Sequence, residues 1–157
     1  MAYGTSGAIG VNLAANETTA SQALGTREPS TDNQEYVYVL AGSAITQYQF
    51  VGIDEDFNAY PLTKAMADDG WIIGVAQTAL TAASYGWIAI RGANLTGNVS
   101  GSCAADVTVY TTGTAGQIDD TSTSQTNLDG VVVVATNGTT AAANVEVLLT
   151  YARSTTF

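Results

Sequence analysis

The chain has 157 residues and a mass of 16.1 kDa, which suits one compact domain or one domain with an appendage. Its formal net charge is −10 and only four residues are lysine or arginine, so the sequence offers no basic stripe for DNA, RNA or an anionic membrane. The absence of histidine excludes Ser-His-Asp and Cys-His catalysis and most zinc sites. We expect no nucleic-acid partner, no membrane partner, no cofactor, no metal and no enzymatic activity.

Residues 1–35 differ in composition from the rest of the chain, because small and polar residues surround only a few bulky apolar ones. Two interpretations are open: a disordered terminus, or an extended arm that becomes ordered on a neighbouring subunit or on a partner. The turn-forming cluster Glu28–Asn33 marks the boundary. We therefore divide the chain into an extended N-terminal arm, residues 1–35, and a β-domain, residues 36–157.

The first half of the β-domain begins with Tyr36–Leu40, where aromatic and aliphatic residues alternate. This pattern predicts a strand that is covered on both faces or lies at a subunit contact. Thr46–Ile53 is predicted as a second strand, and the acidic cluster Asp54–Asn58 follows it. The cluster lacks the sixth-position glycine and the twelfth-position glutamate of an EF-hand loop, so we interpret it as a solvated hairpin tip, with a weak Ca²⁺ site as the alternative. Pro61–Asp69 is predicted as a loop or one helical turn.

Strand patterns continue through the remaining sequence. Trp71–Ala76 is almost continuously apolar and predicts a buried strand, while Gly86–Arg91 alternates. The two tryptophans, Trp71 and Trp87, are expected in the core or at an interface, with a ligand platform as the alternative. The single cysteine, Cys103, has small neighbours and is predicted to be a buried structural thiol, with a reactive thiol as the alternative.

Two long stretches of the sequence are similar to each other. Asp69–Gly70 and Asp129–Gly130 are 60 positions apart, and the segments that precede them match at about the same spacing. We predict that residues 37–92 and 98–151 are two copies of one unit. The predicted fold is all-β: a compact antiparallel β-barrel or sandwich of about eight strands, built from these two units and carrying the N-terminal arm.

The run DGWIIGVA from Asp69, followed by YGWIAIRG from Tyr85, resembles the small capsid decoration, or cement, proteins of tailed bacteriophages. In that family a Gly-Val-Ala strand, a loop and a strand ending near glycine recur. They are followed by a stretch similar to Gly113–Asp119 and by a second G-x-[IV]-x-G-x-A unit. The second unit here departs from the family pattern, because Val134 stands where glycine is expected and Thr136 ends the run.

The resemblance covers about residues 37–151 and implies a β-rich, frequently trimeric protein on the outer capsid surface of a virion, made in the host cytoplasm. The implied partners are the major capsid protein and further copies of this chain. We expect no catalytic residue in this chain. The interface candidates are Tyr3, Ile9, Val11, Leu13 and Leu24 in the arm and Tyr36, Tyr38, Trp87 and Tyr151 in the β-domain. Two alternatives remain: a carbohydrate-binding β-module or virion fibre component, and a small glycan hydrolase with paired carboxylates, for which we expect no turnover.

Overall fold

The protein is described by a computed structural model covering residues 11–123 and 125–155. Strands make up 47% of the structure and helix 3%, so the all-β prediction is confirmed. The short helix α1 (Lys64–Asp68) lies in the predicted loop or helical turn. It begins after Thr63, whose side-chain oxygen accepts a hydrogen bond from the Met66 N–H, an N-cap interaction.

Eleven strands are formed by the described residues. They are β1 (Asn16–Glu17), β2 (Arg27–Pro29), β3 (Glu35–Ala41), β4 (Phe50–Ile53), β5 (Asn58–Pro61), β6 (Ile72–Val75), β7 (Tyr85–Val99), β8 (Val109–Thr111), β9 (Ile118–Asp119), β10 (Asn127–Val133) and β11 (Ala143–Thr155). The number exceeds the predicted eight because β1, β2 and β9 are only two or three residues long. Segments this short carry no periodic pattern that a sequence can reveal.

The first five-strand ring of the fold consists of β3, β5, β4, β6 and β7, each paired to the next, with β7 pairing back to β3. The β3–β5 pairing is parallel and the other four are antiparallel. Val37 and Val39 belong to one buried cluster, whereas Tyr36 and Tyr38 belong to the other. Strand β3 is therefore covered on both faces by its own chain, which was one of the two predicted environments.

A second closed ring uses the same plan and shares the long strand β7. Its members are β7, β9, β8, β10 and β11, and β11 pairs back to β7. Here the β7–β9 pairing is parallel, joining Val99 to Ile118, just as β3–β5 joins Leu40 to Asn58. Each pairing of the first ring has a counterpart of the same direction in the second.

Backbone conformations also recur along the chain. Residues with positive φ occur in four matched pairs, separated by 58 to 60 positions: Tyr48 and Asp106, Phe57 and Gly116, Gly70 and Gly130, and Gly92 and Tyr151. Left-handed backbone is uncommon outside glycine. Its recurrence at matched positions shows that the two rings share these local backbone conformations. The spacing equals that of the sequence similarity between residues 37–92 and 98–151.

The described part of the N-terminal segment packs against the β-domain of its own chain. Strand β1 pairs with the start of β7, and β2 pairs with β3. Leu13 is 2% exposed and lies in the core with Tyr38 and Trp87. Burial of this side chain gives a physical reason for the segment to fold back instead of projecting into solvent. The interface candidates Tyr3 and Ile9 lie outside the described residues.

Candidate functional site

The interface candidates within the described chain fall into two groups. Tyr36, Tyr38 and Trp87 are at most 2% exposed, as is Leu13, so none of them can contact a partner unless the core opens. Val11 is partly buried against the same core. The exposed candidates are Leu24, 37% exposed, and Tyr151, 49% exposed. Of the predicted anchors in the β-domain, only Tyr151 presents its side chain to solvent.

Tyr38 has a structural role at the junction between the N-terminal segment and the first ring. Its ring contacts Trp87 with a centroid separation of 5.0 Å, and its hydroxyl donates to Glu17 Oε2 at 2.6 Å. The Ser21 N–H donates to the same hydroxyl at 3.1 Å. Hydrogen bonds from Ser21 and Tyr38 lower the pKa of Glu17, while burial and then Glu17 raise the pKa of Tyr38. These contacts attach β1 and the following loop to the core.

An exposed cluster of charged and aromatic side chains surrounds Tyr151. We call it the Tyr151 surface, and it consists of Arg27, Glu35, Arg91, Tyr151 and Arg153. The guanidinium groups of Arg27 and Arg91 each lie 5.9 Å from the centre of the Tyr151 ring, within the range of a cation–π contact. The Tyr151 hydroxyl donates to Glu35 Oε2 at 2.6 Å, which raises the pKa of the tyrosine. The other Glu35 oxygen accepts from Arg27 at 3.2 Å.

The backbone at Tyr151 is unusual for a large side chain. Its φ is +56°, and the matching residue of the first ring is Gly92, with φ +128°. A bulky residue is disfavoured in the left-handed region, whereas glycine is not. Such departures are found where the surrounding structure compensates for them, often at binding sites. The second ring therefore carries an exposed aromatic ring at a position where the first ring has no side chain.

An open groove of about 210 Å³ lies beside Tyr151. Its apolar walls include Trp71, Ile72 and Ile90, and Arg27 and Arg153 line it as well. Strand β6 pairs with β7 at Val75 and Ala89, at the end of β6 that is distant from Trp71 and the groove. Apolar walls flanked by cations can bind an apolar side chain of a partner, while the cations bind an acidic side chain next to it in the partner's sequence.

The Tyr151 surface was not predicted as a unit, although Tyr151 itself was a candidate. Its residues come from β2, β3, β7 and β11, which are far apart in sequence and meet only through strand pairing. One feature of the sequence could have identified it: alignment of the two units places Tyr151 opposite Gly92. A large aromatic residue opposite a glycine in a duplicated unit indicates a role specific to one copy.

Trp71, unlike Trp87, is partly exposed. Its ring contacts Tyr60 with a centroid separation of 6.0 Å. A second groove, of about 380 Å³, is lined by Trp71 together with Asp54, Glu55 and Asp69. An aromatic ring beside carboxylates has the stacking and hydrogen-bonding groups that a sugar ring could use. The Trp87 ring, by contrast, is enclosed by the core and offers no such platform.

The acidic cluster Asp54–Asn58 forms a capped turn. One oxygen of Asp54 accepts hydrogen bonds from the backbone N–H groups of Asp56, at 3.0 Å, and Asn58, at 2.8 Å. The Asn58 amide also donates to the Asp54 carboxylate at 3.0 Å. This is the local side-chain bonding that favours aspartate in turns. The geometry agrees with the interpretation of a hairpin tip.

One group of potential metal ligands is present within the described residues. The Cys103 sulfur and carboxylate oxygens of Asp119 and Asp120 lie within 4.8 Å of one another. Burial, followed by the charges of Asp120 and Asp119, raises the pKa of the Cys103 thiol to about 11. The Ala104 N–H donates to Asp120 at 3.0 Å. Because the thiolate is the ligand form of cysteine, an ion would first have to displace a tightly held proton.

No helix in the described part of the chain is long and apolar enough to cross a membrane. Comparison with protein-family models, curated proteins and solved structures finds no match to this chain.

Proposed function

We propose that this chain is a structural virion protein that binds the outer surface of an assembled bacteriophage capsid and stabilises the contacts between capsomers. One observation carries the proposal: the segment resembling decoration proteins, Asp69–Gly92, supplies β6 and the first half of β7. These strands belong to a ring of pairings that occurs twice in the chain. The proposal also assigns the major capsid protein as the partner and the virion surface as the location.

The proposed activity is adhesion, and its energetic effect follows from mass action. A protein that binds only the assembled shell stabilises that shell by RT ln(1 + [L]/Kd) per site, about 2.7 kcal/mol at a hundredfold excess over Kd. No reaction is required of the protein. A rigid β-structure with two buried clusters suits this role, because little conformational entropy remains to be lost on binding.

We further propose that the protein is a trimer. An obligate trimer interface would bury roughly 2,000 Å² or more and would use exposed aromatic or apolar anchors. Of the two exposed candidates in the described chain, we assign Leu24 to this interface and Tyr151 to the contact with the capsid. Sedimentation equilibrium of the full-length protein tests this directly, since a trimer has three times the 16.1 kDa chain mass. A monomer at micromolar concentration would contradict the trimer.

Cosedimentation with mature capsids stripped of this protein tests capsid binding. We expect saturable pelleting of the full-length chain and none without capsids. A version that begins at Val11 tests whether residues 1–10 contribute, and it keeps Leu13 in the core. A start at Tyr36 would remove β1, β2 and Leu13 and would confuse loss of binding with loss of folding. Absence of pelleting by the full-length chain would contradict the proposal.

Carbohydrate binding is a second candidate, and the groove at Trp71 is the observation that favours it. Stacking of a sugar on an aromatic ring would use Trp71, with Asp54 or Asp69 accepting hydrogen bonds from hydroxyl groups. A glycan array probed with the wild type and with Trp71→Ala tests this function. Binding of a defined glycan that disappears in the variant would favour the carbohydrate-binding module over the capsid protein.

A further inference from the structure

The positive charges of this chain are concentrated on one surface. Of its four lysine and arginine residues, Arg27, Arg91 and Arg153 belong to the Tyr151 surface. The fourth, Lys64, lies on α1 and pairs with Asp68 one helical turn away. In a chain of net charge −10, most of the molecule repels an acidic partner, and the Tyr151 surface is the exception.

The arginines of this surface are available for further contacts. The Arg27–Glu35 and Arg153–Asp129 ion pairs are exposed, with the arginine side chains 51% and 75% exposed. Exposed pairs of this kind contribute little stability and exchange partners readily. Among the described residues, no carboxylate lies within 4.0 Å of the Arg91 guanidinium. The three guanidinium groups, set against the carboxylates of Glu35 and Asp129, leave a small positive excess. Such an excess fits a few carboxylates of a partner better than a polyanion.

We propose that the Tyr151 surface is the docking site for a short carboxylate-rich segment of a partner protein. An apolar side chain of that segment occupies the groove walled by Trp71, Ile72 and Ile90. Its carboxylates bind Arg91 and Arg153, while the Tyr151 ring packs against the backbone between them. The inference deepens the proposed function and rests on it, because it assigns this chemistry to the segment of the capsid protein that the chain grips.

Arginine is suited to this task because its planar guanidinium can bind a carboxylate through two parallel hydrogen bonds. The groove adds an apolar contact at the centre of the charged rim, the usual arrangement of a protein interface. Hydrogen bonding to Glu35 and flanking by Arg27 and Arg91 fix the Tyr151 ring before binding. A ring that is already fixed loses little entropy when a partner packs on it.

The test measures the affinity of full-length variants for stripped capsids by cosedimentation at 50 mM NaCl. The double variant Arg91→Gln, Arg153→Gln removes two charges from exposed positions, so the fold is retained, which circular dichroism verifies. We expect its Kd to rise at least about tenfold, since rim charges steer and hold acidic partners. The matched control is Lys64→Gln, which changes net charge at a site outside the Tyr151 surface and should leave Kd within about twofold.

A second arm tests the chemistry of the partner. Capsids whose surface carboxylates have been converted to amides with carbodiimide and glycinamide should no longer bind the wild type. Raising NaCl from 50 to 500 mM should weaken the wild type more than the double variant, because screening acts on the charges that the variant lacks.

The outcomes separate this inference from the proposed function. If the wild type does not pellet with untreated capsids, both are refuted. If it pellets and the double variant binds equally well, the docking site is wrong and the capsid function stands. Unchanged binding to amidated capsids would refute the proposal that the partner segment is recognised through carboxylates. If that binding is then lost when capsid glycans or phosphates are removed, the contact belongs to one of those groups instead.

Discussion

Removal of the Tyr38 hydroxyl should loosen the N-terminal segment from the first ring. In Tyr38→Phe the ring keeps its contact with Trp87 at 5.0 Å, but the hydrogen bonds to Glu17 and from Ser21 are lost. A hydrogen bond to a charged group is worth about 1.5–3 kcal/mol when its partner stays dry, and less when water can replace it. Glu17 is partly exposed and keeps a bond from the Ser21 hydroxyl at 2.7 Å. We therefore expect unfolding free energy to fall by about 1–2 kcal/mol.

Urea unfolding at pH 7, followed by tryptophan fluorescence, measures this change. The matched control is Tyr85→Phe, which removes a hydroxyl from a ring stacked 6.2 Å from Tyr38. Within the described residues that hydroxyl makes no hydrogen bond, so the control should change stability by less than about 0.5 kcal/mol.

The effect of Tyr38→Phe should also depend on pH. Hydrogen bonds from Ser21 and Tyr38 lower the pKa of Glu17 in the folded protein. A lowered carboxyl pKa contributes stability above the unfolded value of about 4.3, and this contribution is lost as pH falls through the folded value. The difference between wild type and variant should therefore shrink below about pH 4. Equal loss in Tyr38→Phe and the control, or a difference that does not shrink as pH falls below about 4, would refute this reasoning.

Three further substitutions or reactions test the packing. Gly97→Ala should lose about 1–3 kcal/mol of unfolding free energy, because the added methyl would lie 2.8 Å from two ring atoms of Phe50. The control Gly138→Ala, which has open space around it, should lose far less. Burial and two neighbouring carboxylates raise the pKa of Cys103 to about 11, so iodoacetamide at pH 8 should label the native thiol at least about tenfold more slowly than the urea-unfolded one. Leu13→Ala should lower stability by about 2–5 kcal/mol in thermal or urea unfolding, and an unchanged stability would mean that this residue is not part of the core.

The strands that the sequence predicted well are those with long runs of β-branched and aromatic residues. Trp71–Ala76 corresponds to β6, and Tyr36–Leu40 lies within β3. Their burial on both faces produces continuous apolar sequence, which a single chain reveals without knowledge of its neighbours. The 60-residue spacing of the two Asp-Gly pairs likewise required only comparison of the sequence with itself.

Pairing partners could not be predicted from those patterns. Arg27, Arg91 and Tyr151 meet because β2, β3, β7 and β11 are successive neighbours in the sheet, and register is set by contacts between distant residues. The surroundings of Leu13 were ambiguous for the same reason. An isolated apolar residue in a polar segment can be buried against its own domain or against another subunit, and composition does not distinguish the two.

The most direct test of the central claim is the temperature at which stripped capsids release their DNA, measured with a DNA-binding dye as purified protein is added. We predict that the release temperature rises with protein concentration and reaches a plateau when all sites are filled, because a ligand of the assembled shell stabilises it. Bovine serum albumin at equal concentration should have no effect. A release temperature that does not change at saturating protein would contradict the claim that this chain stabilises a capsid.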